Sequence, residues 1–158
     1  MNRTVPLVLA IALFMEHMDS TVISTALPAI AADIGTTPIA LKLALTAYLV
    51  SLAIFIPISG WMADRFGARR AAIGVFMIGS IACAMSGSLG QFVVSRFLQG
   101  MGGAMMTPVG RLVLVRATEK RDLVNAMAWL TVPALIGPMA GPPVGGFLTT
   151  YLSWHWIF

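Results

Sequence analysis

The chain has 158 residues, of which 58% are hydrophobic and only 10% are charged, and its mean hydropathy is +0.89. Soluble domains carry about 25% charged residues, so this chain has too few polar groups to cover a surface that faces water. The formal charge of +4 comes from short clusters, with neither a basic stripe nor interleaved aromatic residues, which argues against nucleic-acid binding. We therefore expect an integral membrane protein.

Five segments are long and apolar enough to span a bilayer, which requires roughly 20 residues. They cover about residues 5–30, 39–63, 71–89, 92–115 and 123–151. The links between them are too short for a second domain, so residues 1–158 are predicted to form one all-α membrane bundle. The aromatic residues 154–158 are typical of the interfacial start of a sixth helix, and we expect the chain to be truncated there.

Lysine and arginine set the expected orientation. Those in the links are Arg3 before the first segment, Arg65, Arg69 and Arg70 after the second, and Arg116, Lys120 and Arg121 after the fourth, whereas the alternate links contain almost none, with Lys42 near the start of the second segment. The positive-inside rule places the N-terminus and both basic links in the cytoplasm of a multi-pass protein of the cell membrane. The first segment is near the N-terminus, but ionisable residues interrupt it, so we expect a retained helix rather than a cleaved signal peptide.

The middle of the first segment contains Glu16, His17 and Asp19. Asp19 would lie roughly 16 Å from the outer end of its helix at 1.5 Å per residue. An ionisable group at such depth is costly and marks a functional site or a buried pair. Glu16 shares the helix face of Asp19, and two carboxylates there could select cationic substrates. We interpret His17, which points elsewhere, as a packing residue.

The link after the second segment reads GWMADRFGARR over residues 60–70. Gly60 would let a neighbouring helix approach closely, and Gly67 would permit a turn with positive φ. Asp64 lies among cations and could pair with them or with a helix N-terminus. An ordinary positive-inside loop would explain the arginines but not the glycines and the acid at these spacings.

The fourth segment contains the stretch RFLQGMGGA, which begins at Arg96. An arginine inside a membrane helix costs about 2.5 to 3.5 kcal/mol on insertion scales and should have a partner or water. Asp19 is its nearest partner by depth. Three interpretations stay open: Arg96 snorkels to the surface, the two residues form a fixed structural pair, or Asp19 cycles between the pair and a protonated neutral form.

The fifth segment contains GPMAGPPVGG over residues 137–146. Its three prolines remove backbone donors and favour a bent helix. Gly137, Gly141 and Gly145 share one face, which is typical of a helix that packs closely against another.

These motifs carry a resemblance that covers nearly the whole chain. The second link resembles the loop signature of the major facilitator superfamily, RxxQGxGxA resembles the signature of its proton-coupled members, and GxxxGPxxGG resembles that of its antiporters. The stretch DSTVISTALP, residues 19–28, is similar to the first-helix signature of drug:proton antiporters with fourteen helices, the group of EmrB-like and QacA-like exporters.

The resemblance implies a major facilitator-type bundle, of which this chain holds the first five helices and the start of a sixth, with the C-terminal half missing. It implies a proton-coupled antiporter that exports drugs or other amphipathic or cationic small molecules by alternating access. The proton gradient would be the energy source, with no metal or organic cofactor.

The resemblance also assigns roles to residues. Asp19 and Arg96 would form the proton-coupling or substrate site, to which we add Glu16 although it lies outside the family pattern. The loop would latch the cytoplasmic gate, with Asp64 predicted to contact Arg65 or Arg111. The latch set is Gly60, Asp64, Arg65, Gly67, Arg69, Arg70 and Arg111, and the antiporter set is Gly137, Gly141, Pro142, Gly145 and Gly146.

Three alternatives remain at this point. The chain could be a non-transporting N-terminal fragment or packing subunit, or part of a uniporter or solute importer of the same fold, although the fifth-helix signature argues against the latter. An intramembrane enzyme is the third. The sequence contains no HExxH motif, no Ser–His pairing at a sensible depth and no phosphate-binding glycine loop, so we expect no enzymatic activity.

Overall fold

The computed structural model describes residues 4–66 and 68–158, and these residues form six α-helices and two short 3₁₀ helices. The α-helices are α1 (Thr4–Ile34), α2 (Pro38–Phe55), α3 (Ser59–Phe66), α4 (Ala68–Ala84), α5 (Leu89–Ala117) and α6 (Leu123–Tyr151). The 3₁₀ helices cover Lys120–Asp122 and Trp154–Ile157. Gly67 lies outside the described residues, as do the side chains of Arg69 and Arg70, so the roles predicted for them stay predictions.

Local sequence explains where several helices begin and end. Gly35 has φ +74°, a conformation that glycine adopts without steric cost, and the N–H of Thr36 donates to the carbonyl of Ala31 at 2.9 Å to close α1. Thr37 then caps α2 by accepting from the N–H of Ala40, with proline at the first helical position. Ser88 caps α5 in the same way.

One predicted segment is wrong, and the difference lies at a proline. The second segment, predicted as one helix over residues 39–63, is divided into α2 and α3 by residues 56–58. Pro57, which cannot donate a backbone hydrogen bond, lies in this break. The helix α1 continues through Pro28 to Ile34, four residues past the end predicted near residue 30.

Among the described residues, three helical stretches are long and apolar enough to cross a membrane: Pro6–Ile34, Pro38–Phe55 and Lys120–Tyr151. The helix α4 is shorter, at 17 residues. The helix α5 is long, at 29 residues, but its glutamines, arginines and glycines reduce its hydropathy.

The helices α1, α2, α4, α5 and α6 run alternately up and down, and α3 follows α2 toward the same end, so the bundle has two ends. We call the end with Arg65, Arg116 and Arg121 the basic end, and the end with Phe92, Trp154 and Phe158 the aromatic end. The helix α5 packs mainly against α2 and α4, while α1 packs along the length of α6. Apolar clusters fill the bundle at the aromatic end, around Ile23, Leu41 and Phe92, and at the basic end, around Leu13, Leu114 and Leu130.

Large apolar side chains also cover the outside of the bundle. Met85, Val124 and Met139 are each more than three-quarters exposed. A contiguous apolar surface of this kind is a liability in water but suits lipid contact. The all-α fold and the apolar exterior therefore agree with the expectation of a membrane protein.

Candidate functional site

The expected contact between Arg96 and Asp19 is present at the centre of the bundle. Nη1 of Arg96 donates to Oδ2 of Asp19 at 2.7 Å. Arg96 is 0% exposed and Asp19 is 7% exposed, so the arginine does not snorkel to the surface. Asp19 lies at the midpoint of α1, and Arg96 lies two turns into α5 from the aromatic end. This buried ion pair is the strongest candidate for a functional site.

Gln99 completes the pair and was not predicted as a site residue. Its Nε2 donates to Oδ1 of Asp19 at 3.1 Å and to Oγ of Ser80 at 2.8 Å. Its Oε1 accepts from Nη1 of Arg96 and, at 3.7 Å, from the thiol of Cys83. The network thus connects α1, α4 and α5. The available sequence signal was the spacing of three residues from Arg96, which places Gln99 on the same helix face.

Aromatic rings support the charge of Arg96. Its Cζ lies 4.4 Å from the ring centroid of Tyr48 on α2 and 5.8 Å from that of Phe158, distances that permit cation–π attraction. Nε and Nη2 of Arg96 are buried and have no hydrogen-bond partner in the described part of the protein. Only one of the guanidinium nitrogens therefore makes hydrogen bonds, and the three N–H donors on Nε and Nη2 remain for another arrangement of the site.

Glu16 lies one turn from Asp19 toward the basic end. It is 6% exposed, and its Oε2 accepts a hydrogen bond from Oγ1 of Thr107 on α5 at 3.1 Å. Among the side chains that the structure describes, no cation pairs with Glu16. The two carboxylates predicted to share a helix face are thus both buried, but only Asp19 has a counter-charge.

Glycines allow the helices around these groups to approach closely. A Cβ atom at Gly100 would lie 2.8 Å from the carbonyl oxygen of Tyr48, and one at Gly79 would lie 2.6 Å from Cα of Gln99. At Gly103 it would lie 3.0 Å from the hydroxyl of Tyr48 and 3.7 Å from Oε1 of Glu16. Gly100 and Gly103 of the fourth-segment motif therefore let α2 approach the polar face of α5, and Gly79 lets α4 approach it.

The glycine face of α6 packs on α1 beside the carboxylates. A Cβ atom at Gly137 would lie 2.8 Å from the carbonyl oxygen of Phe14, and those at Gly141 and Gly145 would overlap the hydroxyls of Thr21 and Thr25. The other two residues of the predicted antiporter set differ. Gly146 has open space around it, and the side chain of Pro142 is exposed.

Asp64 pairs with Arg116, at 3.8 Å, and both side chains are about two-thirds exposed. The prediction of a contact with Arg65 or Arg111 is therefore wrong. The helix α5 continues past Arg111 to Ala117, so its last turn, which holds Arg116, lies beside α3. Arg65 instead lies over the ring of Trp61 at 5.7 Å. Gly60 is also not a close-approach site, because a Cβ atom there would contact nothing.

Because the Asp64–Arg116 pair is exposed and long, we expect Asp64→Asn to change the free energy of unfolding by at most about 1 kcal/mol. Thermal unfolding of the detergent-solubilised protein would measure this change. The double variant Asp64→Asn/Arg116→Gln is the control and should equal the sum of the single variants. A coupling between the two sites of roughly 2 kcal/mol would contradict the description of a weak surface pair.

The aromatic end is tied to α1 by Trp154. Its indole Nε1 donates to Oδ2 of Asp33 at 3.0 Å, and the ring meets Phe92 edge-on with centroids 6.2 Å apart. Trp154 is buried, whereas Trp156 is 74% exposed. Of these two tryptophans, only Trp156 has the exposure expected of a residue in an interfacial belt.

In the described part of the chain, no group of three His, Cys, Asp or Glu side chains could hold a metal ion. The bundle encloses the Asp19–Arg96 ion pair and the carboxyl group of Glu16, and apolar side chains face outward. This arrangement is that of a polytopic membrane protein with a charged interior, which is the class to which membrane transporters belong.

The chain belongs to the Major Facilitator Superfamily, whose family profile it matches over residues 9–158. Its relatives include the proteins named "Putative multidrug resistance protein MdtD" of Salmonella paratyphi B, Salmonella heidelberg and Salmonella typhimurium. Each is 44% identical over 154 residues, which is 96% of this chain and 33% of the relative. The chain thus spans about a third of the length of these relatives, and the predicted family and membrane fold are confirmed.

Proposed function

We propose that the chain is the N-terminal part of a proton-coupled antiporter that exports drugs or other amphipathic or cationic small molecules. The observation that supports this most is the Asp19–Arg96 pair, buried halfway along α1 in a bundle that suits a membrane. The multidrug resistance named for the relatives supports the class of substrate. The missing C-terminal half would supply the rest of the alternating-access machinery.

The network suggests how Asp19 would couple proton binding to conformation. Protonation of Asp19 removes the negative charge that holds Nη1 of Arg96 at 2.7 Å. Arg96 then keeps the amide oxygen of Gln99 and the ring of Tyr48, which are neutral partners. The helices α1 and α5 lose their strongest direct attraction and can separate, so proton occupancy would bias which side of the membrane the cavity faces.

The orientation follows from the charges at the two ends. We propose that the basic end, with Arg65, Arg116 and Arg121, faces the cytoplasm and that the aromatic end faces outward across the cell membrane. The exposed pair of Asp64 with Arg116 would lie at the cytoplasmic end. There it joins α3 to α5 and would contribute to holding the inner gate closed.

The experiment uses the complete transporter in proteoliposomes with an imposed inward proton gradient and a cationic dye as cargo. We expect the gradient to drive export by the wild type, and Asp19→Asn to abolish it, because the amide cannot exchange a proton. Glu119→Gln is the matched control, since Glu119 is an exposed acid paired with Arg121 at the basic end. It should transport at the wild-type rate.

Two other outcomes are informative. If the rate of dye movement by the wild type does not depend on the proton gradient, the result would indicate a uniporter or importer and contradict proton coupling. Gradient-driven export that persists in Asp19→Asn with an unchanged pH profile would make the Asp19–Arg96 pair a fixed structural element.

A further inference from the structure

We infer that Glu16 carries a proton in this conformation and is a second proton-binding site, one helical turn from Asp19 toward the basic end. The use of this proton in transport rests on the proposed function. Its presence on Glu16 rests only on the contacts of the site.

The two buried carboxylates have unequal surroundings. Asp19 accepts two hydrogen bonds, one from the guanidinium of Arg96 to Oδ2 and one from the amide of Gln99 to Oδ1. Glu16 receives one neutral hydrogen bond, from the hydroxyl of Thr107 to Oε2. Its Oε1 has no hydrogen-bond partner among the described residues. Both residues are less than a tenth exposed, so each carboxyl group is largely removed from water.

The charged groups around Glu16 and Asp19 determine which of the two carboxyl groups is ionised. Two carboxylates on one helix face share a single nearby cation, Arg96, and two negative charges at this separation repel each other. Tyr48, which faces the site from α2, contributes a neutral hydroxyl near Gly103. His17 lies on another face of α1, where its Cβ faces Gly137 of α6. Asp19, which Arg96 contacts, is therefore the carboxyl group that stays ionised, and Glu16 is the carboxyl group that binds a proton.

The free oxygen of Glu16 is where the proton would be bound. Oε2 already accepts from Thr107, which leaves Oε1 to form the O–H bond. Oε1 lies beside Gly103, since a Cβ atom added to that glycine would be 3.7 Å from Oε1. A buried carboxyl that cannot be paired becomes neutral rather than remaining charged.

This arrangement gives the proton a direction. A proton that enters from the aromatic end binds an oxygen of Asp19 and opens the ion pair with Arg96. After Glu16 releases its own proton toward the basic end, transfer from Asp19 breaks that O–H bond, forms one at Oε1 of Glu16, and returns the negative charge to Asp19, where Arg96 stabilises it. The proton advances by about 4.5 Å along α1, three residues at 1.5 Å each, and the ion pair closes behind it.

Infrared difference spectroscopy of the complete transporter in lipid tests the inference without transport. A protonated carboxylic acid has a carbonyl stretch distinct from that of a carboxylate, and this band shifts in D₂O. We expect the wild type to show such a band at neutral pH and Glu16→Gln to lose it. Glu119→Gln, the same substitution at an exposed site, should retain it.

A second measurement avoids any effect of the variant on folding. A hydrophobic carbodiimide reacts with protonated carboxyl groups in apolar surroundings, and mass spectrometry locates the adduct. We expect the adduct on Glu16 and not on Asp19. A wild type without the band, a band retained in Glu16→Gln, or an adduct on Asp19 instead would overturn the inference. A wild type with the Glu16 band but no gradient-driven export would contradict the proposed function alone.

Discussion

Replacing Arg96 by glutamine is expected to lower the free energy of unfolding by about 3 to 5 kcal/mol, because Asp19 then loses its counter-charge and must either stay charged while buried or take up a proton. Arg96 is fully buried and makes the only ion pair of Asp19 among the described residues, at 2.7 Å. Gln99 would remain as a neutral donor to Oδ1, which is too little to replace a charge. Chemical or thermal unfolding of the detergent-solubilised complete protein would measure the loss.

The double variant Asp19→Asn/Arg96→Gln separates the lost pair from the lost packing. It removes both charges, so it should recover most of the stability that Arg96→Gln loses. Arg121→Gln, at a side chain 79% exposed, is the control and should stay within about 0.5 kcal/mol of wild type. If the double variant is as unstable as the sum of the two single variants, the pair contributes no coupling and Arg96 acts only through its contacts with Tyr48 and Gln99.

The pairing of Asp19 with Arg96 was accessible from the sequence because depth along a helix can be counted at 1.5 Å per residue. Which other residues surround the pair depends on how each helix is rotated about its axis. That rotation is set by packing, here by glycines of α5 against α2 and α4. Tyr48 and Ser80 therefore could not be assigned to the network from spacing alone, whereas Gln99 could have been, since it shares the helix face of Arg96.

The wrong partner for Asp64 has a related cause. The sequence placed an acid and several arginines near the same end of the bundle, and their charges alone do not distinguish one arginine from another. The choice of Arg116 depends on how far α5 extends and on the break at Pro57 that separates α3 from α2. Both are properties of helix ends, which are the least certain features of a sequence-based prediction.

The helix α1 lies between two kinds of contact, and this links the ion pair to the antiporter motif. On one side its carboxylates meet Arg96, Gln99 and Thr107 of α5. On the other side it packs without gaps against the glycine face of α6. Opening of the ion pair would free α1 from α5 but leave its packing on α6 intact. We therefore expect α1 and α6 to move as one unit when Asp19 is protonated.

The packing of α6 on α1 leads to the second large effect, which is expected for Gly137→Val. A Cβ atom at this position would lie 2.8 Å from the carbonyl oxygen of Phe14 and 3.2 Å from the backbone nitrogen of Met18. Backbone atoms cannot rotate away as a side chain can, so the two helices must separate. Overpacking of this kind costs about 1 to 3 kcal/mol and occasionally more, and a valine in place of glycine should be near the upper end.

Gly146→Val is the matched control, because it makes the same change on the same helix where a Cβ atom would contact nothing within 4 Å. Its effect on stability should reflect helix propensity alone, which differs between glycine and valine by roughly 0.5 kcal/mol in favour of valine. Unfolding of both variants, measured alongside the wild type, gives the comparison. Equal stability of the two variants would mean that α6 does not pack on α1 through Gly137. The two helices would then be free to move independently when the ion pair opens.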